Sequence, residues 1–176
     1  MKKKIELQKV NYSEKNFDLF VYNAKDFINL IIRQNHESEG GHTKIVLNAI
    51  NYYSNKKNIE NKDIYILDIG SNIGWYSFFL GKFGYKIISF EASKINNYIM
   101  YKNYCLNKDV SITIIDKGLD KEDKKCILKT VGENIGNGMI FCENREKPIS
   151  NFNGEIYYDI ELTTLKRYIN FYKRKI

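Results

Sequence analysis

The sequence predicts an α/β fold built on a parallel sheet, and three observations carry that expectation. Between residues 64 and 116, short β-branched and aromatic runs alternate with stretches of helical periodicity. Two glycines, Gly70 and Gly74, follow the first of those runs, where a strand must turn into a helix. After residue 119 the alternation stops and short strand-like segments take over, so the sheet is expected to be incomplete at the C-terminus.

The 176 residues suffice for one domain with a sizeable core. Residues 1–60 read as an N-terminal extension, a strand plus a helix packing on the core, and 61–176 as the sheet domain. "FDLFVY" (17–22) alternates loosely and predicts a strand. "HESEGGHTK" breaks any regular element at Gly40 and Gly41. From Thr43, apolar Ile45, Val46, Ala49, Ile50 and Tyr53 recur at helical spacing and predict one buried face, until polar "SNKKNIENKD" ends the helix.

"IYILDIG" (64–70) reads as a buried strand, and "GWYSFFLGKFG" as a helix closed by Gly84. "YKIISFE" is the second strand. The helix "SKINNYIMYKNYCLN" follows, with Ile95, Ile99 and Leu106 expected on its inner side, and "VSITIID" is the third strand. This βαβαβ order predicts right-handed crossovers and parallel strands. Beyond it, "KKCILKTV", "GMIFC" and "EIYYDIEL" predict strands, with "GENIGNG" as a glycine-rich turn and "TTLKRYINFY" as a closing helix.

A formal charge of +7 favours anionic partners, but the lysines are scattered and read as a solvated surface rather than a nucleic-acid face. Cys105, Cys126 and Cys142 form no C-x-x-C pair and sit near neither histidine in sequence. They predict reduced, mostly buried thiols, no metal site and a cytoplasmic compartment. The polar "IELQKV" excludes a signal-peptide core, and charges at Asp18, Lys25 and Asp26 interrupt the most apolar early stretch, so no membrane span is expected.

In a doubly wound sheet, ligands bind beyond the carboxyl ends of the strands. Gly70 and Gly74 lie at such an end, where bare backbone and a helix N-terminus suit a ligand with a carboxylate or phosphate. The blander reading is that both glycines only serve strand–helix packing. Glu91 ends the second strand, 91 − 70 = 21 residues after Gly70, close to the roughly 20 expected for an acid that grips a ribose. Asn72 and Trp75 occupy the second and third glycine places of the G-x-G-x-x-G fingerprint, which disfavours a dinucleotide. No G-x-x-x-x-G-K-[ST] loop and no G-x-S-x-G elbow is present.

The stretch from Leu67 to Asn107 resembles the core of class I S-adenosyl-L-methionine (SAM)-dependent methyltransferases, and of the FkbM family within them. Asp68, Gly70, Asn72, Gly74, Tyr76 and Ser77 fit the family's Asp-x-Gly-x-Asn-x-Gly loop and helix start. Phe90 and Glu91 fit its Phe-Glu pair. The resemblance covers roughly 30–170 and is strongest over 65–107; in "IELTTLKRYI", Lys166 replaces the usual Asp. It implies a Rossmann-like sheet and methyl transfer to an oxygen of a small molecule, sugar or glycan.

By that resemblance, Asp68, Gly70 and Gly74 hold the amino-acid end of SAM, and Ser71 and Asn72 belong to the same cofactor-binding loop. Glu91 takes the ribose hydroxyls, Ala92 or Ser93 lies beside the adenine, and the turn from Asp116 to Leu119, Gly118 included, closes over it. Trp75 and Tyr76 are read either as facing the sulfonium or as core. His36, His42, Glu37 and Glu39 are the candidate acids and bases, each equally readable as a surface residue. The family's "Lys-x-Asp-x-Glu-Gly" strand is absent, so the chain is expected to be truncated before the acceptor side, with weak or no activity alone. A missing half or an oligomer is then expected to cover the open strand edge. A non-catalytic module keeping the same fold is the competing expectation.

Overall fold

The computed structural model describes residues 5–12, 14–23, 29, 32, 41–131, 134–142 and 155–173. Within them the chain is a mixed α/β protein with several sheets. An antiparallel hairpin opens it, β1 (Ile5–Tyr12) and β2 (Lys15–Tyr22), in register from Ile5↔Tyr22 to Tyr12↔Lys15. The sequence did not predict β1, because only Val10 of its eight residues is buried and its alternation is mostly polar. In β2, Phe17, Leu19 and Val21 turn inward at the period of a strand.

Helix α1 (Gly41–Lys57) leads to β3 (Tyr65–Ile69), α2 (Trp75–Lys82), β4 (Lys86–Phe90), α3 (Lys94–Leu106) and β5 (Ile112–Ile115). The three strands form one sheet in the order β3-β4-β5, all parallel, as the βαβαβ reading expects. Beyond it lie β6 (Gly118–Leu119), β7 (Lys124–Val131), β8 (Asn134–Phe141), β9 (Glu155–Thr163) and α4 (Leu165–Lys173). Their sheet runs β6-β9-β7-β8, with β6 parallel to β9 and the other pairs antiparallel.

One cluster joins the hairpin to the first face of the parallel sheet, through Phe17, Leu19, Val21, Ile73, Phe78, Phe79 and Ile99. Phe78 and Phe79 are fully buried, each stabilising the fold by roughly 1.5–3 kcal/mol relative to exposure. Asn103 fastens this junction: its Oδ1 accepts the Phe20 N–H, and its Nδ2 donates to the Phe20 and Ile73 carbonyls at 3.2 and 3.0 Å. On the opposite face, Ile88, Phe90 and Ile115 meet Leu165 and Tyr168 of α4.

Four expectations are corrected. Helix α1 buries Thr43, Leu47 and Ser54, while Ile45 and Tyr53 are exposed; the Trp75 indole donates to Thr43 Oγ1 at 3.1 Å, which turns that side inward. In α3, Ile99 is buried but Leu106 is exposed, and the inner stripe includes Asn96, Asn97 and Asn103, because the amides of Asn97 and Asn103 bond backbone carbonyls. The stretch read as a turn over 132–138 is already strand from Asn134, which pairs with Val131 of β7, and its Gly138 is a packing glycine, since a side chain there would meet Leu128 Cδ1 at 2.7 Å.

The fourth concerns the thiols. Cys126 and Cys142 are joined by a disulfide, and only Cys105 is a free, exposed cysteine among the described residues. The pair lies 16 residues apart in sequence, yet the β7–β8 ladder, ending at Ile127↔Phe141, carries their Cα atoms to 4.4 Å. That bridge removes the ground on which the cytoplasmic expectation stood. Among the described residues no helix is long and apolar enough to cross a membrane.

Candidate functional site

The stretch after β3 is shaped by the end of β4. The Gly70 and Ser71 N–H groups both donate to the Phe90 carbonyl, at 2.8 and 3.1 Å, and the Gly74 N–H closes a turn on the Ser71 carbonyl at 2.8 Å. Gly70, Asn72 and Gly74 take left-handed φ angles of 74°, 53° and 92°. The two glycines serve different ends. At Gly74 a Cβ would lie 2.6 Å from the Phe78 ring, so this glycine is demanded by packing. A Cβ added at Gly70 would meet no atom of the described residues within 4 Å, so packing does not demand this glycine.

Glu91 ties the loop to the next helix. Its Oε2 accepts the Asn72 N–H at 2.8 Å and its Oε1 the Ser93 N–H at 2.7 Å. Burial pushes its carboxyl above the usual range, against those N–H bonds and an Asn96 contact that pull it down. An ionised carboxylate offers about four lone-pair sites, and the Asn72 N–H, the Ser93 N–H and the Asn96 side chain engage three of them, so roughly one remains for a further donor. The Asn72 and Asn96 Oδ1 atoms beside it are buried without a hydrogen-bond partner.

Asp68 is a half-buried residue whose carboxylate sits deeper, accepting the Ser77 hydroxyl at 2.6 Å. Desolvation raises its pKa, and the Ser77 side-chain and backbone bonds oppose the rise. Ser93 caps α3, accepting from the Asn96 N–H at 3.3 Å, and shares a 3.0 Å hydrogen bond with the Tyr158 hydroxyl. Gly118 packs under Leu162, where a Cβ would stand 2.6 Å from Cδ2.

Ala92 and Asp116 line a cleft of about 410 Å³ between the carboxyl end of the parallel sheet and the second sheet. Its far wall comes from β7 and β9, with Lys125, Cys126, Asp159 and Glu161, and Lys94 stands at the start of α3. Sequence reasoning missed this wall. Its one available signal was the acid pair Asp159 and Glu161, spaced two apart so as to share a strand face. The Tyr101 hydroxyl donates to Asp116 Oδ1 at 3.0 Å. Hydrogen bonding and charge from Lys117, with smaller contributions from Lys125 and Lys94, hold Glu161 below the usual carboxylate range.

The structure thus brings Ala92 and Asp116 to the cleft and leaves the Cβ side of Gly70 clear of described atoms, with buried Glu91 linking loop and helix. Asp68, Gly74, Ser93 and Gly118 are engaged in packing or internal hydrogen bonds. Ser71 is buried behind Gly70. Trp75 is core, stacked on Phe79 at 6.0 Å between ring centres, and Tyr76 packs against the same cluster. His42 is exposed on α1. His36, Glu37 and Glu39 lie outside the described residues. No family profile, curated protein or solved structure matches this chain.

Proposed function

We propose that this chain is a SAM-dependent methyltransferase of the FkbM type, built on one half of a Rossmann-like class I sheet, with an oxygen of a small molecule, sugar or glycan as acceptor. The observation that carries the reading is Gly70: left-handed backbone at the carboxyl end of a parallel strand, where an added Cβ would meet no described atom within 4 Å, one short loop from a carboxylate with about one acceptor site left. The parallel order β3-β4-β5 supports it as well.

The donor set fits the methyl donor. Gly70 with Ser71 and Asn72 would hold its amino-acid end, on a turn whose shape Gly74 and the Asp68–Ser77 bond maintain. The acceptor site left on Glu91 suits one ribose hydroxyl. Ala92 and Asp116 would border the adenine, with Ser93 and Gly118 fixing the backbone around them. When bound, the donor supplies an electrophilic methyl group for in-line attack by an oxygen. The chain's own contribution is then to hold the reactants in register, a source of several kcal/mol of barrier lowering.

Calorimetric titration with S-adenosylhomocysteine tests the reading. Folded protein should show saturable binding, weakened about tenfold or more in Glu91→Ala, since a hydrogen bond to a charged group is worth about 1.5–3 kcal/mol. Absence of heat from folded protein, or equal binding by the variant, would sink it.

One observation favours a second reading, an interaction module that keeps the fold without chemistry. Among the described residues β3 is an edge strand, and Leu67 and Ile69 on it are exposed. Binding of the same ligand without methyl transfer to any sugar or small-molecule acceptor favours that reading.

A further inference from the structure

We propose that Cys126 and Cys142 form a reversible redox staple that keeps the outer wall of the cleft in place. Whatever the cleft binds, the argument stands on how that wall is built. Cys126 lines the cleft directly, as does Ile160 across the ladder from it. Both belong to a small cluster with Leu128 and Leu162, against which Ala92, Cys142 and Tyr158 pack. So few buried side chains give a sheet little independent stability, the situation in which small cores rely on covalent staples.

The outermost strand needs the staple most. Among the described residues β8 pairs only with β7, and the register of that pair is broken between Lys129 and Val131. Val131, Met139 and Ile140 remain exposed, so apolar burial holds this edge weakly. The disulfide fixes the residue that follows β8 to the start of β7, at the rim of the cleft. Its removal frees the end of β8 and uncovers the cluster behind Cys126.

The bridge is also placed to exchange. Cys126 is buried, whereas Cys142 is half-buried and is the partner open to solvent. A dithiol reductant attacks the Cys142 sulfur through one thiolate. The bridge S–S bond breaks, and Cys126 leaves as a thiolate that then takes up a proton. The second thiol of the reductant then displaces Cys142, and the reductant departs as its own disulfide. Two electrons and two protons have passed to the pair.

Thiol labelling with and without dithiothreitol, followed by hydrogen exchange on the intact chain, tests the proposal. Under oxidising conditions one cysteine, Cys105, should label, and after reduction all three should. Reduction should speed exchange in β7 and β8 by about a hundredfold, the factor expected from opening a loop of this length, and leave β3–β5 unchanged. Oxidised glutathione should restore slow exchange in the wild type and not in the Cys126→Ser/Cys142→Ser double variant. Three labelled cysteines in the oxidised protein, equal exchange in both redox states, or acceleration spread evenly over β3–β5 as well would each overturn it. None of these readouts requires a methyl donor, so failure here is separable from failure of the methyltransferase reading.

Discussion

At Gly70 and Gly74, one residue type four positions apart does two jobs. A Gly70→Ala change meets no neighbour and costs only the left-handed strain, about 1–2 kcal/mol. Gly74→Ala adds a collision with the Phe78 ring, raising the loss to about 3 kcal/mol or more. Urea unfolding should therefore rank Gly74→Ala well below Gly70→Ala in stability. If Gly70 lies against a ligand, its variant loses affinity for S-adenosylhomocysteine beyond what its stability explains. Glu91 supplies a second test. Its pKa in the fold is raised above the usual 4.5 chiefly by burial, so the folded state holds its proton more readily than the unfolded chain. Its contribution to stability is full below pH 4.5 and is lost as pH rises through the raised value. Measured against Glu91→Gln, the wild type should lose relative stability from pH 4.5 upward; a difference that does not change with pH would contradict this.

At the scale of elements, the asparagines of α3 replace the apolar stripe that periodicity suggests. Asn103 is completely buried and carries three hydrogen bonds between α3, β2 and the stretch at Ile73. Asn103→Ala strands those backbone groups in the core and should cost about 2–4 kcal/mol, read as a lowered urea midpoint. Because the bonds join the hairpin to the sheet, exchange in β1 and β2 should rise first. A loss under 1 kcal/mol would mean that water replaces the amide. Asparagine in a helix interior reads as a weak helix former or a solvated residue, and its partners here lie 30 and 83 positions away. That distance is why the sequence placed Leu106 inside and the asparagines nowhere.

Across the whole molecule, the parallel sheet is covered on both faces in its middle, and among the described residues no strand pairs with the outer edge of β3. Exposed Leu67 and Ile69 on β3 make that edge the place where chains are most prone to pair. Ile69→Lys puts a charge there without removing buried contacts, since Ile69 is 57% exposed. It should reduce concentration-dependent light scattering and shift unfolding stability by no more than about 0.5 kcal/mol. Unchanged scattering would assign the self-association to another surface, the exposed Met139 and Ile140 of β8 being the nearest in character.

The sequence by itself determined the kind and order of the elements from β3 to β5, their parallel pairing, the glycine turn at the carboxyl end of β3 and the acid at the end of β4. These are local properties, written in the spacing of apolar residues and in the backbone freedom of glycine. Tertiary structure alone decided which glycine packing demands, which side of α1 is buried, that Cys126 meets Cys142, and that β7 and β9 wall a cleft beside Asp116. Each of those depends on a neighbour distant in the chain, and periodicity carries no information about which distant neighbour a face will find.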